Sequence, residues 1–292
     1  MQILITGASG LVGTALSAAL RDRGDSVVGV SRRPERKSPG PIHWIGWDDV
    51  AAAVEEADAV VHLAGADIAG KRWSARRKRV LRESRIDTGE RLVAAINGAG
   101  KQPRVLVSAS AVGYYGPRGR EELDEDAPPG SDFLATLCRE WEATASEANC
   151  RVVRARLGVV LSRRGGALTR MLFLFKIGLG GPIGRGSQWF SWVHIDDAVG
   201  ALLHAIDDER VVGAINVTAP AAVTNAQFSR ALARRLGRPA VVPVPPILLK
   251  LRFGEGAAIL TTGQRVLPSR TEATGYFFHY GQIEEALAAL FA

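Results

Sequence analysis

Cysteine is nearly absent from this chain of 292 residues, which has only Cys138 and Cys150. Two thiols are too few for a disulfide framework or a zinc site, and no metal ligand set is expected; at that separation they fit buried thiols in a reducing compartment, so the expected location is cytoplasmic. Long apolar runs are missing too. None approaches the roughly 20 residues that a helix needs to cross a bilayer. Met1 is followed at once by Gln-Ile-Leu-Ile-Thr-Gly, which leaves no space for the charged region and apolar core of a signal peptide. Membrane insertion, a membrane partner and secretion are therefore not expected. Internal repeats, low-complexity tracts and long charged tails are also lacking. What is present is ordinary globular material, 47% hydrophobic and 23% charged, too apolar for disorder. The length allows one large domain or two modest ones, and either can bury a core.

Acidic residues are the minority charge: 30 Asp and Glu against 37 Lys and Arg leave a net charge of +7. Eight of the bases (Lys71, Arg72, Arg76, Arg77, Lys78, Arg79, Arg82 and Arg85) crowd one segment with a single acid, Glu83, and Trp73 among them. Such a run reads first as a solvated helix face and second as a site for a small anion. No nucleic-acid motif accompanies it, so nucleic acid is not an expected partner.

The first half of the chain alternates strands and helices. Gln2 to Thr6 is a short β-branched run, and Leu11, Leu16 and Leu20 then recur at helical spacing until Gly24. Ser26 to Val30, Ile42 to Ile45, Ala59 to Leu63, Arg104 to Ser108 and Val152 to Val160 read as further strands, several nearly all apolar, as in a parallel sheet covered on both faces. The predicted fold class is α/β, a Rossmann-type doubly wound parallel sheet. After Leu161 the texture changes. Glycines crowd Gly178 to Gly186, and Pro239 to Pro246 and Arg265 to Tyr280 carry no long helical period, which suggests a smaller C-terminal substrate lobe. The predicted division is 1–160 and 161–292, with about 191–215 rejoining the first domain.

Gly7, Gly10 and Gly13 follow a strand and open a helix. The first permits the tight turn, the second lets backbone approach a pyrophosphate, and the third lets helix pack on strand. Ser9, Leu11 and Val12 complete the turn, whose free amides and partial positive charge suit phosphates. At the end of the second strand an NAD site usually carries a carboxylate for the ribose hydroxyl. Here stand Ser31, Arg32 and Arg33, a hydroxyl and two guanidiniums that suit a phosphate monoester, so the expected cofactor is NADP(H), with Arg32 as the main reader. Asp48 reads either as an acceptor for the adenine amino group or as a helix cap. Leu63, Ala64 and Gly65 let backbone close to the ribose, Arg85 can turn inward from the basic run, and Val160 at the end of the sixth strand completes the cofactor set.

These residues, with His62-Leu63-Ala64-Gly65 and Ser108-Ala109-Ser110, resemble the extended short-chain dehydrogenase/reductase superfamily. The chain resembles more narrowly its atypical epimerase-like branch, whose members are often named nucleoside-diphosphate-sugar epimerase and sometimes cell-division inhibitor. The matching signatures are Ser84-Arg85-Ile86-Asp87-Thr88, Gly113-Tyr114-Tyr115-Gly116, the run from Gly180 through Gln188-Trp189-Phe190-Ser191-Trp192 to Asp197, Asn216 to Pro220 and Gln264 to Pro268. The resemblance implies NADP in a cleft between a Rossmann domain and a small lobe, and Arg85 where typical members carry asparagine.

The superfamily's usual chemistry needs a tyrosine with a lysine four residues later. The four tyrosines are followed at that distance by Arg118, Gly119, Tyr280 and Glu284, never by lysine. The expected region instead reads Asp132-Phe133-Leu134-Ala135-Thr136-Leu137-Cys138, and a phenyl ring cannot donate a proton. Ser110 matches the usual serine and is a candidate to bond a carbonyl, or else a strand-end serine serving backbone. Tyr115, expected at the cleft edge, is a candidate phenol or an aromatic wall. Gln188, Trp189 and Trp192 are candidates for recognising a polar, ring-bearing substrate, or else packing residues, and Asp197 reads as a structural helix cap rather than a base. Two functions follow. One is an NADP(H)-dependent oxidoreductase or epimerase acting on an unidentified small polar or nucleotide-linked substrate; the other is an NADPH-binding sensor without redox chemistry. Either could be a monomer or a homodimer.

Overall fold

The computed structural model describes residues 1–36, 40–240 and 242–292. Its centre is a parallel sheet of seven strands: β1 (Gln2–Thr6), β2 (Ser26–Val30), β3 (His43–Ile45), β4 (Ala59–His62), β5 (Val105–Ala111), β6 (Arg151–Leu157) and β7 (Gly213–Val217), in the order β7-β6-β5-β4-β1-β2-β3. Because side chains alternate along a strand, Ile3 and Ile5 enter one core while Leu4 enters the other, and all three are fully buried. The first core is closed by α1 (Leu11–Asp22), through Leu16 and Leu20, and by α7 (Ile195–Asp207). The second is closed by α2 (Val50–Glu56), α4 (Ile86–Gly98) and α5 (Phe133–Ser146). Between α2 and α4 runs the basic helix α3 (Ala75–Glu83), capped by the Ser74 hydroxyl. The sheet order reverses between β1 and β4, so the crevice beyond their carboxyl ends is where this architecture takes its ligands.

Two strands differ in extent from the sequence reading. β5 runs on to Ala111 because β6 pairs with it along its whole length. The sixth run does not continue to Val160: it breaks at Gly158, where a Cβ would stand 2.9 Å from the Ser191 carbonyl oxygen. Residues 159–161 then pair with 192–194 instead.

The C-terminal part has its own core, in which Leu168, Phe175, Trp192, Phe228, Leu232 and Leu287 meet. It is built on α6 (Gly166–Lys176), α8 (Asn225–Leu236) and α10 (Ile283–Leu290), while α9 (Pro246–Phe253) contributes no buried residue. Within the Pro239 to Pro246 stretch, Val241 lies outside the described residues. Asp197 fastens this part to the sheet: its buried carboxylate accepts the N–H groups of His279 at 2.8 Å and Tyr280 at 2.9 Å. It is not the helix cap read from the sequence, because His194 caps α7 and Asp197 lies within the first turn. Among the described residues no helix is long and apolar enough to cross a membrane.

Candidate functional site

The turn after β1 is shaped by what its glycines leave out. Gly7 has φ of 75°, a conformation costly for any side chain, and a Cβ there would come within 2.7 Å of the Leu63 carbonyl. A Cβ on Gly13 would overlap the Gly7 carbonyl oxygen, so β1, α1 and the end of β4 can meet only as bare backbone. The Gly10 N–H donates to Gly7 O at 2.9 Å, and α1 starts with neither a side-chain cap nor an acid in its first turn. The first amides of a helix lack intrahelical partners, so those at Leu11, Val12 and Gly13 face the crevice side of the turn. Ser9 and Gly10 are exposed. Leu11 packs over the start of α6: its Cδ2 lies 2.9 Å from where a Gly166 Cβ would be, and Val160 O is 3.6 Å from the same point.

At the end of β2, Ser31 is held by its N–H to Ile45 O at 2.9 Å, and its hydroxyl accepts the Arg33 N–H at 3.1 Å. Arg32 and Arg33 are exposed and make no ion pair among the described residues. Asp48 stands fully in solvent beside Arg91, 3.4 Å away. It is not the cap of α2, a position held by Asp49.

Past β4, Leu63, Ala64 and Gly65 lead to Arg85. The guanidinium lies against Gly65, 3.0 Å from a Cβ placed there, and donates to Leu81 O at 3.1 Å and Ala66 O at 3.2 Å. Its other side rests on the Trp141 ring, 5.1 Å from the centroid. Among the described residues no carboxylate pairs with it, and burial lowers its pKa from the usual arginine value. A fixed, half-buried cation without a counter-ion thus sits at the carboxyl end of β4. The basic run around it is less free than its sequence suggests. Arg72 donates to Leu251 O at 2.8 Å, Trp73 N–H to Phe253 O at 3.1 Å, Arg82 pairs with Glu140 at 2.8 Å, and Lys78 pairs with Glu255. Lys71, Arg76 and Arg79 remain exposed.

The candidate catalytic hydroxyls lie elsewhere than expected. Tyr115 is not at the cleft edge but fully buried, its hydroxyl donating to Asn216 Oδ1 at 2.7 Å and accepting from Arg156 at 2.8 Å. Burial pushes its pKa up to about 12, although Arg156 and Asn216 pull the other way, so the phenol is a poor acid near neutral pH. Ser110 is buried as well, and donates to Glu142 at 2.7 Å. Glu142 and Arg156 form a two-point ion pair at 2.8 and 2.9 Å, both buried. The cause of the displacement is therefore pairing: an arginine inside a strand demands a carboxylate, and the hydroxyls complete its shell. Where the Tyr/Lys pair is missing, Phe133 packs edge-on to Trp73 and Leu137 is buried with Trp73 and Leu81. Cys138 follows, a thiol whose pKa burial pushes up to about 12.

Two of the candidate substrate residues are likewise committed to packing. Trp192 is fully buried with its indole N–H on Ala221 O at 3.1 Å, and the Gln188 amide donates to Leu260 O at 3.0 Å. Trp189 is half-buried under Arg265. Among the described residues no group of three or more His, Cys, Asp or Glu is gathered to hold a metal. The Glu142, Arg156 and Asn216 network escaped the sequence reading. Its one signal was three arginines, Arg151, Arg154 and Arg156, within an otherwise apolar strand.

Comparison with known proteins agrees with this arrangement. Residues 3–218 match the NAD dependent epimerase/dehydratase family, and residues 244–290 match a domain of unknown function. The chain belongs to the NAD dependent epimerase/dehydratase family. An epimerase family protein of Mycobacterium tuberculosis is 44% identical over 292 residues, covering 98% of this chain and 96% of that one. The human epimerase family protein SDR39U1, solved with NADPH, superposes with a TM-score of 0.94 at 41% identity, over 100% of this chain and 99% of that one. A nucleoside-diphosphate sugar epimerase of Corynebacterium glutamicum matches with a TM-score of 0.80 at 36% identity, over 100% of this chain but 58% of that one.

Proposed function

We propose that this chain binds NADPH along the glycine turn and the end of β2, and exchanges hydride with a small polar, nucleotide-linked substrate without a tyrosine proton donor. The observation that carries the reading is Arg85, a fixed guanidinium with no carboxylate partner, set at the carboxyl end of β4 beside Gly65. Bare backbone at Gly7, Gly10 and Gly13 and the uncapped start of α1 receive the pyrophosphate. Ser31, Arg32 and Arg33 take the 2′-phosphate. Asp48, Leu63, Ala64 and Val160 border the adenine and ribose positions. Bound NADPH supplies the hydride. Arg85 holds negative charge as it develops on the substrate oxygen, an interaction strengthened by its partial desolvation. With Ser110 and Tyr115 committed to Glu142, Arg156 and Asn216, the proton comes from water or from the substrate itself. NADPH in the human relative and the sugar-nucleotide name of the corynebacterial one support the cofactor and substrate class. The reading includes a nucleotide domain of 1–160 joined by about 191–215, a substrate lobe in 161–292, a cytoplasmic location, and a monomer or homodimer.

A second reading, an NADPH-binding sensor, is favoured by the apolar filling at Phe133 and Leu137. The two are separated by the nicotinamide absorbance of bound NADPH, followed after addition of fractionated metabolite extract. Decay that disappears in Arg85→Met and in Gly13→Val supports the oxidoreductase; a signal that no fraction changes supports the sensor. Titration by NADPH fluorescence tests the cofactor itself. Gly13→Val is expected to weaken binding at least about 100-fold, and Arg32→Ala to weaken NADPH about tenfold while sparing NADH. Equal affinities of the unaltered protein for NADH and NADPH would overturn the choice of NADP(H).

A further inference from the structure

Of twelve large hydrophobic side chains that stand exposed among the described residues, eight fall in just two segments, 173–179 and 242–251. Both segments carry the same short pattern. Phe173-Leu174-Phe175-Lys176-Ile177 closes α6, and Ile247-Leu248-Leu249-Lys250-Leu251 lies in α9. In each, the third residue turns inward: Phe175 is buried and Leu249 half-buried. The first, second and fifth residues stay in water, exposed by between 41% (Leu174) and 68% (Phe173). At about 100° per residue, Ile247, Leu248 and Leu251 form one outward stripe, and Lys250 and Arg252 flank it, roughly 100° to either side. Long basic side chains in that position can lay their stems along an apolar surface and keep their charges at its rim.

The stretch that follows the first segment lies against the start of the second, where a Cβ on Gly181 would overlap the Val242 carbonyl. Val244 N–H donates to Pro182 O at 2.8 Å, Gly184 N–H to Val244 O at 2.9 Å, and Leu179 N–H to Leu174 O at 2.9 Å. The surrounding sequence is of one sign: from 161 to 195 and from 210 to 254 there are twelve Lys and Arg and no Asp or Glu. Among the described residues the acids that pair with these bases come from outside the two stretches: Asp67 on Arg170, Asp208 on Arg210 and Glu284 on Arg234. Lys176, Arg185, Lys250 and Arg252 make no ion pair among the described residues.

We infer that the α6/α9 face adsorbs to an anionic lipid surface, with the aliphatic stripes entering the headgroup layer and the flanking bases meeting lipid phosphates. An apolar stripe rimmed by bases is the pattern of interfacial helices, and each base near an anionic leaflet adds to the attraction. A second copy of the chain fits poorly, because a two-fold contact would set the same positive surface against itself. The absence of a spanning helix concerns insertion; adsorption needs only this face. The inference is independent of the cofactor reading.

Co-sedimentation of the full chain with vesicles tests it, using equal phosphatidylglycerol and phosphatidylcholine against phosphatidylcholine alone. At about 0.05 M salt the protein is expected to pellet with the anionic vesicles only, and to be released at about 0.5 M. Lys176→Gln with Lys250→Gln should weaken binding about 25-fold, taking roughly fivefold per base. Phe173→Ser with Leu251→Ser should weaken it at least tenfold, with NADPH fluorescence and circular dichroism unchanged because both positions are exposed. Lys101→Gln with Arg104→Gln, two exposed bases just before β5 at the amino-terminal end of the sheet, should leave binding within about twofold. No binding to anionic vesicles at low salt, or equal binding by the serine variant, would overturn the inference. So would a dimer that the serine variant dissociates without any vesicle binding, which would make a second copy the occupant of this face. A monomer that ignores vesicles would overturn it in favour of an acidic protein partner.

Discussion

At the glycine turn the cleft is lined by backbone: three residues without side chains, an uncapped helix start, and two exposed arginines that make no ion pair among the described residues. At the end of β5 it is backed by side chains that already satisfy one another, with Ser110 and Arg156 on Glu142 and Tyr115 on Asn216. The first region leaves backbone and side-chain polarity in solvent; the second spends its polarity on the fold. The same sheet thus presents an open end and a closed one, and Arg85 lies between them, a cation whose partners among the described residues are carbonyls, the Ser84 hydroxyl and the Trp141 ring. Membership of an epimerase family therefore does not bring with it the proton-transfer chemistry that a Tyr/Lys pair performs.

The contrast breaks if the closed end can be opened without harm to the fold. Arg156→Met removes one partner of a buried ion pair and leaves the buried Glu142 carboxylate to Arg154, 4.0 Å away; breaking such a pair typically costs about 3–5 kcal/mol. Urea unfolding should show a loss of that order. A double replacement of Glu142 and Arg156 by residues of similar volume and no charge should recover much of it. An Arg156→Met protein as stable as the original would mean that the network is not what holds β5, β6 and α5 together.

His62 sharpens the same comparison, because it lies beside Arg85 and is tuned chiefly by burial. Its Nδ1 is 2.7 Å from the Thr6 hydroxyl, its ring meets Trp141 edge-on, and burial, aided by the Arg85 charge, lowers its pKa to about 4. In the unfolded chain an ordinary histidine titrates near 6.5. Below that pH the unfolded state takes up a proton that the folded state refuses. Stability is therefore intact above about pH 6.5 and falls progressively to about pH 4, by about 3 kcal/mol in total at 1.36 kcal/mol per unit. His62→Gln removes this slope. The measurement is the difference in unfolding free energy between the two proteins, at about pH 7 and again at about pH 4.5; a difference that does not change with pH would show that His62 is not buried in its neutral form.

The open end was legible because its information is local. Gly7, Gly10 and Gly13 fall within seven positions, and each is required by a backbone contact that spacing alone announces. Ser31, Arg32 and Arg33 are legible for the same reason, as they directly follow a recognisable strand. The missing Tyr/Lys pair was readable by exhaustion, since only four tyrosines had to be checked. The closed end was not legible, because its bonds join residues 14, 41 and 101 positions apart. Composition does not say which carboxylate Arg156 will meet. Trp192 and Gln188 misled for a related reason: next to a glycine-rich loop they look available, and only the packing of α8 and the 258–261 turn shows them occupied. The strand limits failed at Gly158, where contact with a distant carbonyl, not local propensity, ends β6.

The smallest effect is also the most discriminating. Tyr115→Phe keeps the ring and deletes the phenolic hydroxyl that the sequence offered as a candidate proton donor. Asn216 Oδ1 loses a donor and Arg156 loses an acceptor, both in a buried setting, so the fold should lose about 1–2 kcal/mol, less than when the ion pair is broken. If the closed end is purely structural, NADPH affinity and any hydride exchange should be unchanged at temperatures where the variant remains folded. If the phenol moves protons after all, exchange should drop by the 100-fold or more expected for loss of a general acid, while the NADPH titration stays the same. Because the stability loss is moderate, the two results can be told apart on folded protein, and the second would show that Tyr115 leaves its partners during turnover.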